Sequence, residues 1–106
     1  MPGKTEIHAW DIWWACVRFE DSEEWKRRPV LVTESGELYV LALFVTSHEA
    51  RNMWGEYEIV KWKSAGLPKP STIRITRPLQ LLPDDLESKI GELQPIDIYN
   101  LLRMIG

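Results

Sequence analysis

Two apolar, β-branched runs flanking a short glycine turn constrain this chain more than any other feature. The first, Arg28-Pro29-Val30-Leu31-Val32, is entered from the basic triplet Lys26-Arg27-Arg28. The second fills residues 37–45, after the turn Glu34-Ser35-Gly36, and ends in Thr46-Ser47. Such a pair of runs predicts a β-hairpin. Hairpin pairing places Arg28 and Thr46 at the same end of a sheet. The basic triplet is expected as a loop that brings cations to the start of a buried strand.

The remaining pattern is mostly β. Residues 11–19 are apolar on both alternating faces until Arg18, as in a central strand covered on both sides. Residues 20–25 read as a loop with Trp25 at its tip, and 48–55 as another. Residues 57–62 return to β-type composition, and 63–66 suit one helical turn stopped by Gly66. In 71–77, Ile73 and Ile75 alternate with Thr72, Arg74 and Thr76, which predicts a half-buried strand limited by Pro78. Residues 81–91 read as a helix carrying Leu86 and Ile90 on one face. Ile98, Leu101, Leu102 and Ile105 fall at helical spacing behind Pro95 and Asp97, which predicts an amphipathic C-terminal helix. Strands first and helices later suggest a small, strongly bent antiparallel barrel with that helix packed on it.

At 106 residues the chain is expected to form one domain around one core. No apolar run approaches the ~20 residues of a membrane helix, and residues 1–6 lack the apolar segment of a signal peptide. The single cysteine, Cys16, excludes an intrachain disulfide and reads as a small core residue. A cytoplasmic location is the expectation. The net charge of −3 argues against nucleic acid, but its distribution does not. Residues 1–25 sum to −4, 26–77 to +4 and 78–106 to −3, so the middle of the chain can attract phosphate.

Arg28 and Arg74 sit on polar strand positions and offer planar forks suited to phosphate; surface ion pairs with Asp21, Glu23 or Glu24 are the alternative. Lys26, Arg27 and Arg77 add charge beside them, and Thr76 adds a hydroxyl for binding the same substrate. Thr46 and Ser47 can donate hydroxyls to the same ligand or cap a strand end. His48 follows directly. Trp25, Trp54 and Trp62 are candidates for base stacking, whereas Trp13 and Trp14 read as core. No glycine-rich phosphate loop, HExxH or CxxC is present, and neither His8 nor His48 has a partner at metal-ligand spacing. Neither a metal nor a cofactor is expected.

The ordered set Asp11-Ile12-Trp13, Arg28-Pro29-Val30-Leu31-Val32, Val45-Thr46-Ser47 and Lys69-Pro70-Ser71-Thr72-Ile73-Arg74 resembles the MazF/PemK (Kid) toxins of bacterial type II toxin–antitoxin modules. The resemblance runs from Asp11 to the last helix and treats residues 1–106 as one toxin domain. It implies an SH3-like barrel of the CcdB/Kid type and a homodimer. The implied activity is a metal-independent, sequence-specific endoribonuclease acting on single-stranded RNA. It also implies an antitoxin partner whose flexible acidic tail blocks the RNA groove. By that resemblance Arg28 and Arg74 are catalytic arginines, and Thr46 and Ser47 line the RNA site. The chain departs from the Kid branch by having Thr76 in place of an Asp, and Ser22-Glu23 in place of a loop His.

Metal-free RNA cleavage needs a base for the 2′-hydroxyl, cations for the phosphorane and an acid for the leaving 5′-oxygen. Arg28 and Arg74 suit the charge, but a guanidinium is a poor base. Glu23, Glu24 or His48 would have to serve, or a threonine-assisted arginine. Two other readings use the same barrel. One is a gyrase poison related to CcdB, although the terminal Arg103-Met104-Ile105-Gly106 lacks the Trp those relatives use. The other is a catalytically silent binder of RNA or antitoxin.

Overall fold

In the expected hairpin, β2 (Trp25–Ser35) and β3 (Val40–Thr46) pair antiparallel, with Val30 opposite Phe44 and Ser35 opposite Val40. The computed structural model describes residues 6–18, 25–47 and 55–105, less the side chains of Arg18 and Arg77. Gly36 N–H donates to the Tyr39 carbonyl at 3.0 Å and closes the turn. β2 starts earlier than its composition suggests. Arg18–Trp25, Val17–Lys26, Cys16–Arg27 and Ala15–Arg28 are paired rungs with β1 (Asp11–Arg18). The basic triplet is therefore part of a ladder, not a loop, and Trp25 is its first rung rather than a loop tip. Ladder hydrogen bonding satisfies the backbone whatever the side chains carry.

The other strands are β4 (Glu56–Glu58), β5 (Thr72–Leu81) and β6 (Leu86–Glu92), and helix α1 spans Pro95–Ile105. All ladders are antiparallel, in the order β4-β5-β3-β2-β1-β6. β5 and β6 are separated by three strands yet joined by a link of four residues, of which Pro83–Asp85 coil into a 3-10 turn. Four sheet spacings of a flat sheet would span roughly 19 Å, too far for that link. The sheet is therefore curled. Its outer strands β4 and β6 are not hydrogen-bonded to each other, so the barrel is open along one seam.

Alternation sorts the apolar side chains onto both faces of the curl, giving two clusters where one core was expected. Trp13, Val30, Val32, Val40, Ala42 and Leu86 belong to a cluster built mainly from strands. Ile12, Leu31, Leu43 and Ile73 pack on the other face with Leu67, Leu93 and Leu101, so α1 and the chain before β5 cover it. β1 buries Trp13, Ala15 and Val17 on one face, but on the other it buries Ile12 and leaves Trp14 and Cys16 half-buried, so the expected cover on both sides is only partial. Cys16 is half-buried rather than part of either cluster.

Two expectations about the later strands need correction. Residues 86–92 form a strand, not a helix. A spacing of four residues fits both the helical and the strand period, and β1 offers a sheet edge. Glu87 is the extra residue of a bulge between the rungs Trp14–Ser88 and Ala15–Leu86, so Leu86 and Ile90 fall in different clusters. β5 does not stop at Pro78. Phe44 pairs with Arg74 and Ala42 with Leu79, leaving three extra residues bulged out of β5. Pro78 sits in that bulge, where a missing N–H breaks no rung.

Strand β4 covers only three residues, and the chain then turns. Asp97, fully buried, accepts hydrogen bonds from Val60 N–H at 2.8 Å, Lys61 N–H at 2.9 Å and the Tyr57 hydroxyl at 2.5 Å. Burial and this carboxylate push the Tyr57 hydroxyl up to about 12. The turn ends as a Schellman motif, with Leu67 N–H on Trp62 carbonyl and Gly66 N–H on Lys63 carbonyl. Gly66 supplies the positive φ of 93°. Across the seam, a side chain at Gly91 would lie 2.0 Å from the Ala65 carbonyl oxygen. Close backbone approach at this glycine thus lets the turn close on β6. On α1, Leu101 is buried, but Leu102 and Ile105 are each 49% exposed, contrary to the amphipathic pattern.

Candidate nucleic-acid interface

Past Val30 and Phe44 no rung joins β2 to β3. β2 continues along β1, while β3 continues along β5 through Val45–Ile73 and Thr46–Thr72. The gap opened by this divergence is a cleft of about 440 Å³. Arg27, Arg28 and Pro29 line one wall; Phe44, Val45, Thr46, Ser47 and Arg74 line the other. Leu67, Pro68, Lys69 and Ser71 come from the chain entering β5, and Trp14 and Ile90 from the far strands.

Two guanidinium groups 46 positions apart in sequence therefore open onto one cleft beside a threonine and a serine. Arg74 is held from behind. It pairs across the ladder with Glu56, whose carboxylate stands 3.8 Å from Nε. That Nε is buried and makes no hydrogen bond, while the side chain as a whole is 41% exposed. The result is a cation whose stem is fixed and whose charge is not cancelled by a tight fork-to-fork pair.

Arg27 is arranged differently. Its Nε donates to Glu87 at 2.8 Å, Nη2 donates to Ser88 at 3.4 Å, and the guanidinium carbon lies 4.6 Å from the centre of the Trp14 ring. Trp14, which reads as core in sequence, is half-buried and lines the cleft. Opposite-face alternation of two adjacent tryptophans explains the difference: Trp13 takes the buried face and Trp14 the other.

Of the other candidates, Trp25, Lys26 and Thr76 are exposed but do not line this cleft, and Trp62 packs against an apolar cluster. Glu23, Glu24, His48, Trp54 and the side chain of Arg77 lie outside the described residues. Lys69, Ser71 and Glu56 were missed as site residues. Lys69 and Ser71 belong to a sequence stretch too proline-rich to assign an orientation, and the register that sets Glu56 opposite Arg74 leaves no mark in sequence. Among the described residues no three of His, Cys, Asp and Glu are grouped to hold a metal ion, and no helix is long and apolar enough to cross a membrane.

Residues 8–106 match the family model described as PemK-like, MazF-like toxin of type II toxin–antitoxin system. The chain belongs to this toxin family. The fold agrees. The structure is similar to the Mycobacterium tuberculosis toxin MazF-mt6 with a TM-score of 0.73 and 24% sequence identity, over 91% of this chain and 92% of that one. Curated proteins gave no match. The matched residues take in all four of the sequence stretches that carry the resemblance, and helix α1. Asp11, which opens the first stretch, is a buried anchor of this toxin fold. It accepts His8 N–H at 2.9 Å and the Trp13 indole N–H at 3.3 Å, with Lys89 Nζ 3.4 Å away.

Proposed function

We propose that this toxin is a metal-independent, sequence-specific endoribonuclease whose active site is the cleft between β2 and β3. The observation that carries the reading is the convergence of Arg28, Arg74, Thr46 and Ser47 on that cleft. In this mechanism the RNA 2′-hydroxyl attacks the adjacent phosphorus, and the bond to the 5′-oxygen breaks. The products are a 2′,3′-cyclic phosphate and a 5′-hydroxyl end. Arg28 and Arg74 stabilise the doubly charged phosphorane, a role in which one lost donor typically costs 10²–10³-fold in rate, and one of the two donates the proton taken up by the leaving 5′-oxygen. Thr46 and Ser47 orient the scissile phosphate. Glu23, Glu24 or His48 supplies the base, or Thr46 assists an arginine in that role.

Single-stranded RNA is the substrate, and Lys69, which lines the cleft, adds a phosphate contact. A cognate antitoxin with an acidic segment would compete for the same cations. A homodimer accords with exposed Ile96, Tyr99, Leu102 and Ile105 on α1, and a cytoplasmic location with an mRNA target. Thr76 in place of a family Asp supports a second reading, a silent member that binds RNA or antitoxin without cutting. The test incubates the protein with mixed-sequence RNA, with and without EDTA, beside Arg28→Ala and Arg74→Ala. Cuts that survive EDTA, leave cyclic phosphates and vanish in both variants support the nuclease. RNA retained but uncut supports the silent binder, and intact RNA with gyrase inhibition would transfer the protein to the CcdB-like reading.

A further inference from the structure

Beside the two arginines assigned to the phosphate, the cleft carries a third that is used in another way. Arg27, Trp14 and the pair Glu87–Ser88 come from three neighbouring strands, β2, β1 and β6, and meet on one face. The indole lies diagonally next to Arg27, since Trp14 is opposite Pro29. Glu87 reaches this group because it is the bulged residue of β6, and a bulge re-aims the side chain it carries. Its carboxylate then fixes the guanidinium edge while the indole supports it from the side. A flat cation is thereby held on the lining of the cleft that Arg28 and Arg74 also line, with 54% of its side chain still open.

An exposed ion pair alone stabilises a fold very little. A bulge, a stacked tryptophan and two acceptors on one guanidinium are more than such a pair requires. Their joint effect is to hold a planar surface still, and planar aromatic or guanidinium surfaces are what single-stranded nucleic acids stack on. Leu67, Pro68 and Ile90 also line the cleft and offer apolar walls but no charge.

We propose that Arg27, held on Trp14 by Glu87, is the stacking platform for a nucleobase adjacent to the scissile phosphate. It thereby sets sequence preference at that one position. Glu87 acts as a positioning residue and Arg27 as a specificity-determining one. This rests on the nuclease reading above.

The test first maps cut sites of the wild-type protein on mixed-sequence RNA. Short oligonucleotides spanning one cut site are then made with an abasic nucleotide at each flanking position in turn. Wild type should cleave one of these at least about tenfold more slowly than the intact oligonucleotide, the usual size of a lost stacking contact. In Arg27→Lys, which keeps the charge but not the plane, the intact-to-abasic ratio should fall to within twofold of unity. Glu87→Gln should give an intermediate ratio. An unchanged ratio in Arg27→Lys would overturn the platform and leave Arg27 as a phosphate contact. Equal wild-type cleavage of every abasic substrate would overturn it as well. No cleavage of any RNA by wild type would instead remove the nuclease reading on which the platform depends.

Discussion

At the residue scale, the most consequential side chain for stability is Asp97, a buried carboxylate answered by one hydroxyl and two backbone N–H groups. Asp97→Ala strands all three donors, at a cost of about 3 kcal/mol. A circular-dichroism melt should show Tm lowered by roughly 10–20 °C. Tyr57 gives a pH signature. Its folded pKa of about 12 exceeds the ordinary value of 10.0, so the folded chain holds that proton more tightly. The associated stability is complete below the unfolded value and is lost as pH rises through the folded one. Lys89, raised mainly by its hydrogen bond to Glu92, changes stability in the same direction. Urea titrations from pH 9 to 12 should therefore show a decline that is shallower in Tyr57→Phe, and identical slopes would refute the assignment. Glu56→Gln should lower RNA cleavage about tenfold through Arg74 misplacement without lowering Tm. Sequence shows Arg28, Arg74, Thr46 and Ser47 as candidates because each stands in a β run or at its end. It shows Asp97 only as a helix-start residue, because the partners it anchors lie 36 to 40 residues away.

At the element scale, continuous apolar runs identify the hairpin and the central strand, and hydrophobic period two identifies the strand at Arg74, since each runs for several residues. It fails at β6, where a bulge interrupts the alternation and the spacing of Leu86 and Ile90 mimics a helix. The ends of β2 are also misread, because charged residues in a ladder look like loop. The open seam depends on Gly91. Gly91→Ala places a methyl group 2.0 Å from the Ala65 carbonyl, which forces the turn off β6. A loss of 2 kcal/mol or more in urea unfolding is expected, on the order of an overpacked core. Gly91→Ala with wild-type stability would show that the turn does not rest on β6.

At the scale of the whole molecule, the division of charge along the chain becomes a spatial one: Arg27, Arg28, Lys69 and Arg74 share one cleft despite a net charge of −3. RNA affinity should fall steeply with salt as counterions are released. Arg28→Ala should flatten that dependence, and affinity equal at low and high salt would contradict the cleft's role. The curled topology was legible from strand order and composition together with the family resemblance. The divergence of β2 from β3 that creates the cleft was not, because it is a property of two ladders and not of any one segment. The central claim, that Arg28 and Arg74 act on one phosphate, is tested most directly by a double-mutant cycle in RNA cleavage. Each alanine variant should lose about 10²-fold or more, and the double variant little beyond the worse single, as residues acting as a unit do. A double variant whose loss equals the product of the single losses would place the two arginines on separate tasks and contradict the account.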